Sequence, residues 1–192
     1  MLIGICGRKR CGKDTIADYL VKNYNFVKYN FGDQVKLICK LMFDFSDEQI
    51  NGDLKDVVDP RWNIKPRDTF QVFGTDFAQY LLPEKLPNIE KKIPPRGFWI
   101  ERFKKWYTTE KLNNPKIKVV VSDIRFIHEY ECIKSLDGII IEVYRDGVEK
   151  DMSHSSENEI ESFKKKVNLK INNNFEKKDL FNKIDIFMIK VS

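Results

Sequence analysis

A glycine-rich stretch near the start of the chain constrains the fold more strongly than any other feature. Residues 7–13 match the pattern G-x-x-x-x-G-K, with Gly7, Gly12 and Lys13 at its defining positions. The apolar run before it, residues 1–6, predicts a short buried strand, and the amphipathic run after it predicts a helix. Strand, glycine loop and helix in this order are the context that a phosphate-binding P-loop requires.

The chemistry of such a loop depends mainly on its backbone. Glycine allows φ > 0 and a close approach to phosphate, and the turn directs several N–H groups into one concavity. The start of the following helix adds positive potential, and Lys13 can bridge the outer phosphates of a nucleotide. The residues predicted to line the phosphate site are Gly7, Cys11, Gly12, Lys13, Asp14 and Thr15.

One position departs from the usual P-loop pattern. Ser or Thr normally follows Gly-Lys and holds a magnesium ion, whereas this chain has Asp14 there and Thr15 next. A carboxylate is also a hard oxygen ligand, so this pair still predicts metal binding, either directly or through water. The sequence leaves open which of the two side chains touches the ion.

Beyond the loop, strand-like apolar segments alternate with helical patterns along the chain. After the first strand, four more are predicted at residues 25–30, 117–122, 138–144 and 167–171. This alternation predicts an α/β fold in one domain, residues 1–192: a five-stranded, mostly parallel sheet with helices on both faces. The middle, about residues 45–112, is instead all helical, with a strong helix pattern at 67–82. We expect this insertion to lie over the C-terminal ends of the strands, where ligands bind.

A second element of the predicted phosphate site follows the β-branched strand at 117–122. Asp123 comes directly after this strand, and in P-loop enzymes an acid at this place orients magnesium and its waters. Arg125, two residues later, is predicted to reach a transferring or acceptor phosphate. The alternative role for Asp123 is to cap the next helix.

Two further arginines extend the predicted site. Arg67 begins the predicted helix at 67–82, and its planar guanidinium group is suited to bidentate phosphate binding. The alternative is that Arg67 is an ordinary surface arginine. Arg145 begins a long polar loop, residues 145–157, which has the character of a mobile lid. In that position Arg145 is a candidate arginine finger, which stabilises the charge of a transferred phosphoryl group.

Composition narrows the class of protein further. With 192 residues, 42% hydrophobic and 33% charged, the chain fits a soluble globular domain, and no apolar run approaches the roughly 20 residues of a transmembrane helix.

Because the N-terminus enters a core strand at once, we expect no signal peptide. The four cysteines show no C-x-x-C pairing, which predicts reduced thiols and a cytoplasmic setting. A net charge of +5 suits an anionic ligand but is too modest to indicate nucleic-acid binding.

Several blocks of the sequence together resemble the deoxynucleoside monophosphate kinases of bacteriophages and large viruses. The most specific blocks are G-x-K-R-x-G-K-D-T at residues 7–15 and V-S-D-I-R-F-x-x-E at 121–129. Weaker blocks are F-G-D-x-x-K at 31–36, P-R at 66–67, F-G-T-D at 73–76 and H-x-S-E at 154–157. The blocks follow the family's order and span nearly the whole chain.

The resemblance implies a P-loop kinase fold, use of ATP and Mg²⁺, and transfer of the γ-phosphoryl group to a deoxynucleoside monophosphate. Implied catalytic residues are Lys13, Arg125 and Arg145, and implied metal ligands are Asp14, Thr15 and Asp123. The acceptor would be held by Lys9, Asp33, Arg67, Gln71 and Arg125. A homodimer is a further expectation, and neither a nucleic-acid nor a membrane partner is expected.

Two rival interpretations stay open at this point. The phosphomevalonate kinases of animals are similar in the P-loop and S-D-x-R blocks, so these blocks alone do not name the acceptor. The segment at 66–79 favours the nucleotide enzymes, because it resembles their substrate helix. A non-catalytic nucleotide-binding or nucleic-acid-associated protein is the rival of another class, and Asp123 and Arg125 argue against it.

Overall fold

The computed structural model describes residues 1–90, 92–94, 96–147, 159, 162–163 and 166–191. The chain divides into two compact units, one formed by Met1–Asn30 with Thr108–Ser192 and the other by Phe31–Tyr107. Most of the predicted lid at 145–157 lies outside the described residues.

The strands are β1 (Leu2–Cys6), β2 (Phe26–Tyr29), β3 (Lys118–Ile124), β4 (Ile139–Tyr144) and β5 (Leu169–Asn172). The helices are α1 (Lys13–Tyr24), α2 (Asp33–Phe43), α3 (Asp47–Asn51), α4 (Pro66–Gln71), α5 (Leu82–Lys85), α6 (Pro87–Glu90), α7 (Phe98–Asn113), α8 (Ile127–Ser135) and α9 (Lys177–Val191). A 3₁₀ helix spans Asp53–Asp56, and a π-helix spans Val72–Leu81.

The first unit is built on a single sheet in the order β2-β3-β1-β4-β5. Every neighbouring pair of strands is parallel, which confirms the predicted five-stranded sheet. Because β1 is central and β3 and β4 flank it, the segments that follow these three strands emerge at the same edge of the sheet. This edge carries the glycine loop and Asp123.

Helices cover both faces of this sheet. On one face α1 and α9 pack over Ile3, Ile5 and Val120, which are fully buried in the main core. Side chains alternate along a strand, so the residue between Ile3 and Ile5 faces the other way. A Cβ at that residue, Gly4, would lie 3.4 Å from Ile133 of α8, so α8 covers the second face.

The second unit is helical and has a small core of its own. This core consists of Val35 and Cys39 from α2, Phe45, and Ile50 from α3. Partly buried aromatic side chains surround it, namely Phe43, Phe70, Phe73 and Trp99. The helical character predicted for the middle of the chain is thus observed, and most of its aromatic residues serve packing.

The predicted single helix at 67–82 is instead three consecutive segments, α4, the π-helix Val72–Leu81 and α5. The cause lies at Gly74, whose carbonyl accepts hydrogen bonds from Trp99 Nε1 at 2.8 Å and Gln79 Nε2 at 3.3 Å. Side chains that bond to a helix carbonyl disturb its regular ladder and favour a wider turn. A Cβ on Gly74 would also approach Val35 to 3.3 Å, so this segment packs closely on α2. None of the described helices is long and apolar enough to cross a membrane.

Candidate functional site

The glycine loop connects the end of β1 at Cys6 with the start of α1 at Lys13. Gly7 and Gly12 have φ of 143° and 107°, in a region that residues with a Cβ rarely adopt. A Cβ on Gly7 would lie 2.1 Å from the Val143 carbonyl oxygen, and one on Gly12 would lie 2.4 Å from Asn173 Nδ2. Both glycines are therefore required by conformation. Gly7 is also required by space, because its close neighbour is a backbone oxygen, whereas the neighbour of Gly12 is the end of a side chain.

The N-terminus of α1 has no side-chain cap, because its cap residue is Gly12. The first N–H groups of this 12-residue helix therefore have no capping side chain, and they carry the positive end of the helix dipole. The side chain of Cys11 is buried in the core, where burial raises the pKa of its thiol. Cys11 can thus serve a bound phosphate only through its backbone, and the whole arrangement fits an anion.

Lys13 is nearly buried and links the loop to the end of β3. Its Nζ donates to the carbonyl oxygens of Gly7 at 2.8 Å and Arg8 at 2.9 Å. The same atom lies 3.4 Å from Asp123 Oδ1. The parallel pairing of β1 with β3 brings these groups together, so the P-loop lysine and the acid predicted to orient magnesium share one site.

The two carboxylate oxygens of Asp123 have different surroundings. Oδ2 accepts from Arg125 Nε at 2.6 Å. Oδ1 is buried and, within the described part of the chain, accepts no hydrogen bond, although the Lys13 ammonium faces it. A buried carboxylate oxygen with unused acceptor capacity is what a hard cation requires, so this residue fits a magnesium ligand.

Asp14 lies in the first turn of α1 with Thr15 beside it. Partial desolvation raises the pKa of Asp14, but hydrogen bonds from Lys28 and Ser122 and the positive charges of Lys28 and Lys13 outweigh it, so the pKa lies below its usual value. Asp14 therefore carries its charge at neutral pH. The described residues contain no cluster of three His, Cys, Asp or Glu side chains.

The side chain of Glu129, near the start of α8, fixes the backbone that follows Asp123. Its Oε2 accepts from the backbone N–H groups of Arg125 at 2.8 Å and Phe126 at 3.1 Å. Burial raises the pKa of Glu129 to about 7, while these two hydrogen bonds act against the rise. Glu129 was not among the predicted site residues, although it ends the V-S-D-I-R-F-x-x-E block.

Several predicted acceptor residues belong to the second unit. Asp33 is exposed and is the first helical residue of α2, whereas Gly32 holds the N-cap position. Arg67 and Gln71 lie one turn apart on α4. The Arg67 guanidinium forms a two-point ion pair with Asp56, in which Nη2 donates to Oδ2 at 2.9 Å. In this structure the Arg67 guanidinium is thus engaged by a carboxylate of the same unit, and its role in acceptor binding stays a prediction.

The remaining predicted residues lie in the first unit at its surface. Lys9 is exposed within the P-loop, and Arg145 is exposed directly after β4. The rest of the predicted lid lies mainly outside the described residues. The roles of Lys9 and Arg145 therefore stay predictions.

Besides Glu129, three more site residues were not predicted from the sequence, namely Lys28, Ser122 and Asn173. Lys28 and Ser122 bind the Asp14 carboxylate, and Asn173 Nδ2 donates to the carbonyl oxygen of Cys11 at 2.8 Å. Ser122 could have been found from its place at the end of a buried strand beside Asp123. For Lys28 and Asn173 the sequence holds no local signal, because their partners are distant along the chain.

A P-loop after the first strand, an acid at the end of the neighbouring strand and helices on both faces of a parallel sheet define a P-loop kinase fold. A solved structure similar in fold is the dephospho-CoA kinase from Campylobacter jejuni. The similarity has a TM-score of 0.50 with 17% sequence identity and covers 100% of this chain and 96% of that one.

Sequence comparison specifies the family within this class. The family model described as deoxynucleotide monophosphate kinase matches residues 1–63 and 42–184. A protein of Acanthamoeba polyphaga mimivirus, named "Putative deoxynucleotide monophosphate kinase", is 38% identical over 176 residues, which are 90% of this chain and 89% of the relative. The chain belongs to the deoxynucleotide monophosphate kinase family, and it is accordingly a phosphotransferase of nucleotide metabolism.

Proposed function

We propose that this protein transfers the γ-phosphoryl group of ATP to a deoxynucleoside monophosphate and releases ADP and the deoxynucleoside diphosphate. The observation that carries the proposal is the position of Lys13, with its ammonium on the P-loop carbonyls and 3.4 Å from Asp123. In a member of this family, such a pairing is suited to grip nucleotide phosphates beside a magnesium site.

On the donor side, the backbone of Gly7, Cys11 and Gly12 would cradle the ATP phosphates, and Lys13 would leave the loop carbonyls to bind them. Asp14, Thr15 and Asp123 would hold Mg²⁺, with the two carboxylates as the stronger candidates because each has an oxygen without a hydrogen bond from the described residues. The ion would neutralise the charge that develops between the β- and γ-phosphates.

On the acceptor side, we assign the monophosphate to Lys9, Asp33, Arg67, Gln71 and Arg125. The two-point contact of Arg67 with Asp56 supports this assignment, because a phosphate offers the same pair of oxygens as a carboxylate. Arg125 extends from the turn fixed by Glu129, and its side chain is 45% exposed, which leaves its guanidinium accessible to an incoming phosphate.

Phosphoryl transfer requires alignment and neutralisation of charge rather than a protein nucleophile. Lys13 and Arg125 would bind the oxygens of the transferred group, and Arg145 would join them when the lid at 145–157 closes. Closure would exclude water and prevent hydrolysis of ATP. All four cysteines are buried thiols, which is consistent with the reducing cytoplasm in which we place the enzyme.

A coupled assay of ADP release tests the proposal. Purified protein, ATP and magnesium are combined with dTMP, dGMP, dCMP, dAMP, their ribose forms or phosphomevalonate. We expect turnover with one or more deoxynucleoside monophosphates and a much lower rate without an acceptor. Lys13→Ala should lower the rate by about 10²-fold or more, because a charged group that stabilises the transition state is lost.

The alternatives give different results in the same assay. Turnover with phosphomevalonate alone would keep the ATP site and overturn the acceptor. Binding of ATP without turnover of any acceptor would overturn the kinase activity itself. Full activity of Lys13→Ala would contradict the assignment of the P-loop as the catalytic site.

A further inference from the structure

Asp14 replaces the hydroxyl residue that usually follows the P-loop lysine, and its carboxylate is anchored in an unsymmetrical way. Oδ1 accepts from Lys28 Nζ at 3.0 Å. Ser122 Oγ lies 3.2 Å from the same oxygen, but its single proton is shared with a closer contact to Asn30 Oδ1. Oδ2 accepts no hydrogen bond from any residue that the structure describes. One oxygen is therefore fixed by the protein, and the other keeps its full capacity for a ligand.

Lys28 reaches this carboxylate from β2, where it pairs with Val120 of the neighbouring strand. Its ammonium also binds Asp18 Oδ1 at 2.9 Å. Asp14 and Asp18 are four residues apart on α1, so their charges lie on the same side of the helix and repel each other. The Lys28 ammonium lies between the two carboxylates and neutralises part of this charge.

We propose that Lys28 is a positioning residue that makes an aspartate workable at this P-loop position. A carboxylate in place of a hydroxyl adds a full negative charge beside the phosphates of ATP. Lys28 offsets that charge and holds Oδ1, so that Oδ2 serves the magnesium ion or one of its waters. This inference rests on the proposed ATP site and adds a partner to it that lies outside the P-loop.

If Lys28 had a purely structural role, its loss would lower the unfolding temperature of the ligand-free protein, and we expect no such loss. The side chains of Asp14 and Asp18 are 73% and 68% exposed, and exposed ion pairs contribute little to stability. Lys28→Met should therefore leave the unfolding temperature of the ligand-free protein nearly unchanged. Its effect should appear in nucleotide binding, and it should depend on the charge of Asp14.

The test is a double-mutant cycle read by calorimetric binding of a non-hydrolysable ATP analogue, with magnesium and with EDTA. The proteins are the wild type, Lys28→Met, Asp14→Thr and the double variant. We expect Lys28→Met to weaken binding with magnesium by about 10- to 100-fold, the usual effect of losing a partner that orients a metal ligand. In the Asp14→Thr background the same change should have about a twofold effect or less, because the charge to be offset is gone.

Two further variants sharpen the result. Lys28→Arg keeps the charge and should retain most of the affinity. Lys22→Met removes one exposed lysine from α1 and should bind the analogue like the wild type. This control shows whether the effect depends on the position of the lost lysine or on the loss of any positive charge.

The proposal is overturned if Lys28→Met binds the analogue normally, or if it weakens binding equally with Asp14 and with Thr at position 14. Coupling between the two residues without phosphorylation of any deoxynucleotide would uphold this inference and reject the proposed reaction. A wild-type protein that binds no ATP analogue would reject both.

Discussion

At the scale of single residues, the P-loop was predictable because its determinants are consecutive in sequence. Gly7 and Gly12 have positive φ, and for Gly7 the structure adds a second reason, the absence of space beside the Val143 carbonyl oxygen. Lys13 and Asp123 were also predicted, because each comes at a fixed distance after a buried strand. The neighbours of Asp14 and Cys11 were not predicted, since Ser122 lies 108 residues from Asp14 and Asn173 lies 162 residues from Cys11.

Gly7 and Gly147 both have positive φ, but they differ in φ itself (143° and 75°) and in the space around them. Gly147 has φ of 75°, but no described atom lies within 4 Å of the place that a Cβ would take, so Gly147→Ala should cost only backbone strain. That strain is about 1 kcal/mol, or roughly 2–4 °C in unfolding temperature for a chain of this length. Gly7→Ala adds a clash with the Val143 carbonyl oxygen and should lower the temperature by clearly more.

Differential scanning calorimetry of the two variants checks this prediction, and binding of the ATP analogue provides a second readout. Gly7→Ala should lose binding because the loop must move, whereas Gly147→Ala should keep it. Equal shifts in unfolding temperature for both variants would show that backbone strain alone explains the need for glycine at position 7.

At the scale of elements, strands and helices with a clear period were predicted, and the π-helix Val72–Leu81 was not. A hydrophobic pattern reports which face of a helix is buried, but it carries no information on a carbonyl bonded from outside. The bond from Trp99 to Gly74 joins residues 25 positions apart, so only the packed unit reveals it.

The start of α8 gives a prediction on pH dependence. The pKa of Glu129 is raised from 4.5 to about 7 by burial, so between these values the folded state binds a proton that the unfolded state has released. The contribution of Glu129 to stability therefore falls as the pH rises from about 4.5 to about 7. Glu129→Gln removes this titration while an amide oxygen can still accept both backbone N–H groups.

Thermal unfolding at pH 5 and pH 8 measures the effect. Relative to the wild type, Glu129→Gln should be more stable at pH 8 than at pH 5. Glu131→Gln, an exposed change on the same helix, should show no such difference between the two pH values. A constant difference between wild type and Glu129→Gln across this range would contradict the raised pKa.

At the scale of the whole molecule, we expect a homodimer. On α2 the side chains of Leu37, Ile38, Leu41 and Met42 are exposed, and Leu41 reaches 76%. Four large apolar side chains in adjacent turns of one helix form the kind of surface that a second copy of the chain would cover. Sedimentation equilibrium should then give about twice the 22.8 kDa of one chain.

A charge placed in that surface tests whether it forms the interface. Leu41→Glu should shift the equilibrium to the monomer, whereas Leu112→Glu, at a position 78% exposed in α7, should leave the mass unchanged. A wild-type mass of one chain at micromolar concentration would reject the dimer. A dimer that persists in Leu41→Glu would place its interface elsewhere.

The sequence by itself determined the parts of this protein that local physics encodes. The apolar strands, the glycine loop, the acid after β3 and the helical middle segment all follow from periodicity and from the conformational limits of single residues. The tertiary structure alone decided how the charges of the site are balanced. Lys28, Ser122, Glu129 and Asn173 reach their partners through the pairing of β2, β3, β1, β4 and β5 and the helices that cover them. A hydrogen bond between residues far apart in the chain depends on the packed sheet, and no pattern in a short stretch of sequence records it.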